Sequence, residues 1–172
     1  MIGPGSALAS QICELGVHAK PVRIVAFNKT QEANWSVPWH QDRVIAIRQK
    51  AQIDGYSNWV AKSNFWHCEP PLSLLEKMVF VRIHIDDSTE ETGLLELALG
   101  SHKFGKIPSH RAHALASDCD IELCEARPGD VLIVHALTLH RSSSAITPST
   151  RRAVRADYAC RSMLARELQW AI

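Results

Sequence analysis

The chain has 172 residues, with 19 Lys and Arg against 18 Asp and Glu for a net charge of +1, and it is 46% hydrophobic and 22% charged. Such a balance excludes a disordered or low-complexity chain, and it leaves no global field to draw in nucleic acid or an anionic membrane. One domain over residues 1–172 is expected, large enough to bury roughly two thirds of the surface its unfolded form exposes.

Residues 6–17 set Leu8, Ile12 and Leu15 near one helical face, which predicts a short N-terminal helix ending around Gly16. From Pro21 the pattern becomes β: VRIVAF is rich in branched and aromatic residues, and Pro38 keeps SVPWHQD extended. Residues 22–28 and 37–46 are the first strand candidates. Over residues 43–77 the signal thins into Gly55, Asn58, Asn64 and Pro70–Pro71 between Tyr56, Trp59, Phe65 and Trp66. That stretch predicts a long aromatic loop insertion, of the kind that serves as a lid over a site.

MVFVRIHIDD alternates, with Val79, Val81, Ile83 and Ile85 on one face and Phe80, Arg82, His84 and Asp86 on the other. GLLELALGSHKFGK reads as a strand leading into a turn, DIELCEARPGD as another closed by Pro128–Gly129, VLIVHALTLHRSS as a further strand and RRAVRADYACRSM as the last. Several short strands after one helix predict a mainly β fold, a two-sheet jelly roll or cupin-like barrel. The five cysteines are odd in number and scattered, and the closest pair, Cys119 and Cys124, lacks a CxxC spacing. A reducing cytoplasm is the expected location. No apolar run approaches the ~20 residues of a membrane span, and the opening residues lack the basic-then-apolar pattern of an export signal.

Two HxD pairs stand out, His40–Gln41–Asp42 and His84–Ile85–Asp86. On a strand, residues two apart share a face about 6.6 Å apart, two steps of roughly 3.3 Å, so either pair can reach one metal ion. Either alone is weak evidence. Two histidines and a carboxylate leave three coordination positions open on a metal, which requires a third ligand from another strand. His140 is the best candidate, because His135 points to the opposite face if the strand is unbroken. Ser142 then shares the face of His140. Arg151, eleven residues after His140, can return alongside, where a buried guanidinium grips a carboxylate through two parallel hydrogen bonds. Arg152 and Arg155 read as solvated or salt-bridged residues, and His110 and His113 as surface histidines. Trp35 and Trp39 read as core fillers opposite the metal, His67 as an ambiguous loop residue, and GSHKFGK as a tight connection.

FNKTQEANWSVPWHQD, RIHIDDSTEETGLLELALGSHKFGK and RPGDVLIVHALTLHRSSS followed by RRAV resemble the bacterial phytanoyl-CoA dioxygenase family of Fe(II)/2-oxoglutarate oxygenases, over about residues 21–160. The resemblance implies a double-stranded β-helix. It maps the metal ligands onto His40, Asp42 and His140, so it favours the first HxD pair, and it places the 2-oxoglutarate arginine at Arg151 with Ser142 beside it. Arg82 resembles a position that carries a cofactor-contacting aromatic in some relatives. The implied activity is hydroxylation of a small organic substrate with Fe(II), 2-oxoglutarate and O2, releasing succinate and CO2. The carboxylate of Asp42 favours hydroxylation, since related halogenases carry a non-coordinating residue there. Two departures stand beside these: Leu99 replaces the proline common before GSH, and most of the N-terminal region that can supply a lysine to 2-oxoglutarate is lacking. The alternative reading is a non-catalytic, cupin-like metal- or ligand-binding protein.

Overall fold

The computed structural model describes residues 7–14, 19–62, 64–147 and 150–172. Eight strands form two antiparallel four-stranded sheets, the double-stranded β-helix. The first sheet has the order β1-β11-β6-β9, from Lys20–Lys29, Arg151–Ala159, Val79–His84 and Val131–His135; the second is β2-β10-β7-β8, from Val37–His40, His140–Ser142, Leu95–Ala98 and Ile121–Cys124. The chain crosses between the sheets repeatedly, so neighbouring strands are far apart in sequence.

Alternation decides what each face meets. On β6, Val79 and Val81 point outward and join Ala156 and Tyr158 of β11 beneath Ile12 of helix α1, Ala7–Glu14. Ile12 is fully buried there, worth about 1.5–3 kcal/mol. Leu8 packs against the same cluster, whereas Leu15 and the expected helix end at Gly16 lie outside the described residues. The other face of β6 turns Phe80 inward to meet Leu95, Leu97, Cys124 and Val134 from both sheets. Helix α3, Ser109–Ser117, covers the outer face of the second sheet through Ala112 and Ala116 against Trp39 and Leu139. It carries His110 and His113, both exposed. Its alanine-rich, weakly amphipathic sequence hid it from a periodicity reading.

Two expectations are corrected. Residues 43–77 are not a long loop: they hold β3 (Ile45–Ile47), β4 (Ser57–Lys62) and β5 (Phe65–Glu69), paired in the order β3-β5-β4, and the short helix α2 (Leu72–Leu75). The strands were illegible because β4 is mostly exposed, while the apolar partners of β3 come from distant segments: Ile45, Ile47 and Cys68 pack with Leu75, Leu137 and Trp170. The late VLIVHALTLHRSS is two strands rather than one. β9 ends at His135 in the first sheet, a turn closed by Thr138 N–H donating to His135 O at 2.9 Å follows, and β10 begins at His140 in the second. His135 therefore sits apart, pairing through Nε2 with Glu76 O at 3.0 Å. GSHKFGK is a 3₁₀ turn in which buried Ser101 ties β7 to β10, accepting from Leu139 N–H at 2.8 Å and donating to Ala98 O at 2.7 Å.

Among the described residues no helix is long and apolar enough to cross a membrane.

Candidate metal centre

The pairing of β2 with β10 sets His40 directly opposite His140, with ring centroids 4.2 Å apart. β2 stops at His40, not at residue 46 as the sequence pattern predicts. The chain turns inward at Gln41, whose amide donates to Leu137 O at 2.7 Å and Gly105 O at 2.8 Å, and Asp42 N–H donates to Ala136 O at 3.2 Å. This turn, rather than a shared strand face, brings the Asp42 carboxylate to 3.1 Å from His140 Nε2.

One donor atom from each of His40, Asp42 and His140 lies within 4.8 Å of the others, the single such group of three among the described residues. The Nδ1 of His40 lies 2.9 Å from Pro38 O, and that of His140 lies 2.9 Å from Thr138 O. A carbonyl only accepts, so each Nδ1 carries a proton and Nε2 is the ring atom left to bind a metal, the orientation a metal ligand requires. Burial and the neighbouring His140 lower the pKa of His40, which keeps it neutral. Burial alone would raise the pKa of Asp42, but the hydrogen bond to His140 and the charge of Arg155 outweigh it and hold the carboxyl well below the usual range.

Arg155 is the residue that sequence reasoning misplaced. It is buried rather than solvated, its Nη1 donates to Asp42 Oδ2 at 2.5 Å and its Nε to Asp157 Oδ1 at 2.6 Å, and its guanidinium lies over the Phe80 ring. The one signal was parity with Arg151 on β11; the partner lies 113 residues away. Arg152 points outward and pairs with Asp86 at 2.8 Å, so Asp86 serves a cross-strand ion pair.

Further along the inner face the cavity is cationic. Arg151 is 4% exposed. Its Nη2 donates to Ser142 Oγ at 3.2 Å, while its Nε and Nη1 have no partner. Ser142 in turn donates to Gly93 O at 2.9 Å. Gly93 has φ +71°, and a Cβ there would sit 2.2 Å from Ser143 O, so no other residue allows this approach. Lys29, opposite Arg151 on β1, donates to Ser143 O at 2.6 Å and Ser142 Oγ at 3.4 Å. Nothing in the sequence singled it out. Burial and the charges of Arg151 and Arg82 depress its pKa to about 8.

Arg82 lies over the Phe27 ring, its Nε unpartnered. His84 is fully buried with neither ring nitrogen bonded and does not line the cavity; burial and the adjacent Arg82 and Arg151 push its pKa down to about 4. The triad, Arg151, Ser142 and Arg82 all border one cavity of about 200 Å³. Trp39 faces α3 as expected, whereas Trp35 lines this cavity instead of filling the core. His67, half-buried on β5, does not.

A double-stranded β-helix that holds two imidazoles and a carboxylate at one point belongs to the class of proteins that fit a mononuclear divalent metal with open positions. The orphaned nitrogens of Arg151 at the other end of the cavity suit a carboxylate.

The chain belongs to the phytanoyl-CoA dioxygenase (PhyH) family, whose model matches residues 6–153. Solved structures with the same fold include AviO1 from Streptomyces viridochromogenes, with 19% identity, a TM-score of 0.63 and coverage of 92% of this chain and 59% of that one. EctD from S. alaskensis, solved with 2-oxoglutarate and 5-hydroxyectoine, is 19% identical at a TM-score of 0.62, covering 86% and 46% respectively. The non-heme monooxygenase ThoJ is 16% identical at a TM-score of 0.63, covering 96% and 54%. The chain thus spans about half the length of the solved structures it resembles. No curated protein sequence matches it significantly.

Proposed function

We propose that the protein is an Fe(II)- and 2-oxoglutarate-dependent dioxygenase that hydroxylates a small organic substrate, with His40, Asp42 and His140 holding the iron. Bound iron supplies activation of O2 coupled to the oxidative decarboxylation of 2-oxoglutarate to succinate and CO2. The observation that carries the reading is the convergence of three donors within 4.8 Å in the cavity that also contains Arg151, whose Nε and Nη1 are unpartnered. A lone metal site needs no such cation, and a simple anion site needs no such triad.

The residues of the chain have separable tasks. Pro38 O and Thr138 O fix the two imidazole tautomers. Arg155 holds Asp42 by the oxygen that also faces His140 Nε2, and so keeps the carboxylate turned toward the triad. Arg151 and Ser142 receive the distal carboxylate of 2-oxoglutarate, and burial keeps water from competing for it. The carboxylate of Asp42 leaves no ligand position vacant for a halide, which favours hydroxylation. Under air with Fe(II) and ascorbate, the protein is expected to release succinate from 2-oxoglutarate in an iron-dependent reaction that a panel of small organic substrates accelerates. Iron binding without succinate release across that panel would favour a non-catalytic cupin-like binder.

Lys29 adds a pH dependence. Its ammonium is penalised by burial and by the nearby charges of Arg151 and Arg82, and an arriving carboxylate offsets that penalty and raises its pKa above about 8. Protonated Lys29 therefore binds the anion better. The affinity for 2-oxoglutarate should be flat below about pH 8 and fall as the pH rises beyond it, with proton uptake on binding near pH 8. Calorimetry in buffers of different ionisation enthalpy reads that proton directly, and Lys29→Met should abolish the uptake.

A further inference from the structure

Arg82 has no assigned counter-charge. It is 6% exposed, and among the described residues it forms no ion pair, nor does Arg151 or Lys29. Taking a cation out of water without an anion beside it is costly, so its presence calls for a partner. Of the residues that border the cavity five are arginines, and the single acid is Asp42, already engaged by Arg155 and His140. Arg23 and Arg155 share Asp157, and Arg141 has Glu96. Only Arg82 and Arg151 face the cavity without a carboxylate.

On the reading above, 2-oxoglutarate brings two charges, one carboxylate to the metal and one to Arg151, where Lys29 also stands. Arg82 is left over. On the backbone it stands apart from Arg151, pairing across β6 and β11 with Arg155 while Arg151 pairs with Lys29, although the charges of Arg82 and Arg151 act on each other across the cavity. The Arg151 row lies four residues further along β11, about 13 Å at roughly 3.3 Å per residue. Ser142 holds the Arg151 guanidinium at its end, and Phe27 carries that of Arg82. We infer that Arg82 forms a second anion position in this cavity that binds a carboxylate or phosphate group of the prime substrate. The substrate is accordingly an organic anion. This inference rests on the proposed function for the role it gives Arg151, but not for the anion position itself.

The test uses inorganic phosphate as the probe, titrated calorimetrically into protein loaded with Zn(II), which does not turn over, with and without saturating 2-oxoglutarate. Phosphate should bind in both cases. Arg82→Gln should weaken phosphate about tenfold to a hundredfold, the loss of one or more charged hydrogen bonds, while leaving 2-oxoglutarate within about threefold. Arg82→Lys should restore part of the phosphate affinity. Phosphate displaced by 2-oxoglutarate, or Arg82→Gln weakening 2-oxoglutarate as much as Arg151→Gln, would place both guanidinium groups on one carboxylate and overturn the second position. Absence of phosphate binding to the wild type would overturn it too. If 2-oxoglutarate itself fails to bind, the proposed function falls, and the phosphate arm without 2-oxoglutarate still reads Arg82. A second readout is independent of ligands: Arg82→Met keeps the stem packed on Phe27 and removes an unpaired buried charge, so the ligand-free variant should melt higher than the wild type. A lower melting temperature would make Arg82 a packing residue.

Discussion

In His40→Ala, specific Fe(II) binding should disappear, while in His84→Ala it should remain largely intact. His40 presents a neutral Nε2 to Asp42 and His140, its ring fixed by Pro38 O. Loss of a residue that merely orients a ligand costs about 10–100-fold in metal affinity, and removing a ligand should cost more. His84 heads an HxD pair of equal spacing, yet it faces the buried cations Arg82 and Arg151, a field that repels a metal ion, and its partner Asp86 is held by Arg152 on the outer face. Anaerobic Fe(II) titration, or the visible absorption of the Co(II)-substituted protein, measures both variants, with circular dichroism confirming that each is folded. Iron retained in His40→Ala and lost in His84→Ala would transfer the site to the second pair.

The second large effect is at the other end of the cavity. Arg151→Ala should weaken 2-oxoglutarate by about a hundredfold, since a bidentate, charge-assisted contact is lost and each charged hydrogen bond contributes roughly 1.5–3 kcal/mol. Fe(II) affinity should change by less than about threefold, because the triad does not depend on this guanidinium. Arg152→Ala is the matched control. Its side chain is half-exposed and paired with Asp86, and a surface pair of that kind contributes little. Calorimetric titration of both variants separates them. If Arg152→Ala carried the loss, the carboxylate would bind on the outer face of β11, which would defeat the proposed co-substrate site.

Strand alternation made much of the fold legible. The period-two pattern of β6 anticipated which of its residues face α1 and which face inward, and the parity of β11 separated Arg151 from Arg152. Local rules failed where structure depends on partners. The turn between β9 and β10 interrupts an apolar run that has no Gly or Pro to mark it, so its position is set by which sheet each half joins. β3 and β5 are short, and their burial comes from Leu75, Leu137 and Trp170 rather than from their own periodicity.

For the candidate site the division is equally physical. The residue types and their short spacings, an HxD pair, a histidine followed two residues later by serine, and an arginine eleven residues after that histidine, are properties of the sequence alone, because they follow from local order along one or two strands. Tertiary structure decided how they combine. The register of β2 on β10 set the two imidazoles face to face, the inward turn at Gln41 delivered Asp42 without a shared strand, and Arg155 found its carboxylate 113 residues away. It also gathered Lys29, Arg82 and Arg151 onto one inner face with no acid to neutralise them. Such charge balances are sums over distant segments, which a sequence does not contain until the chain has folded.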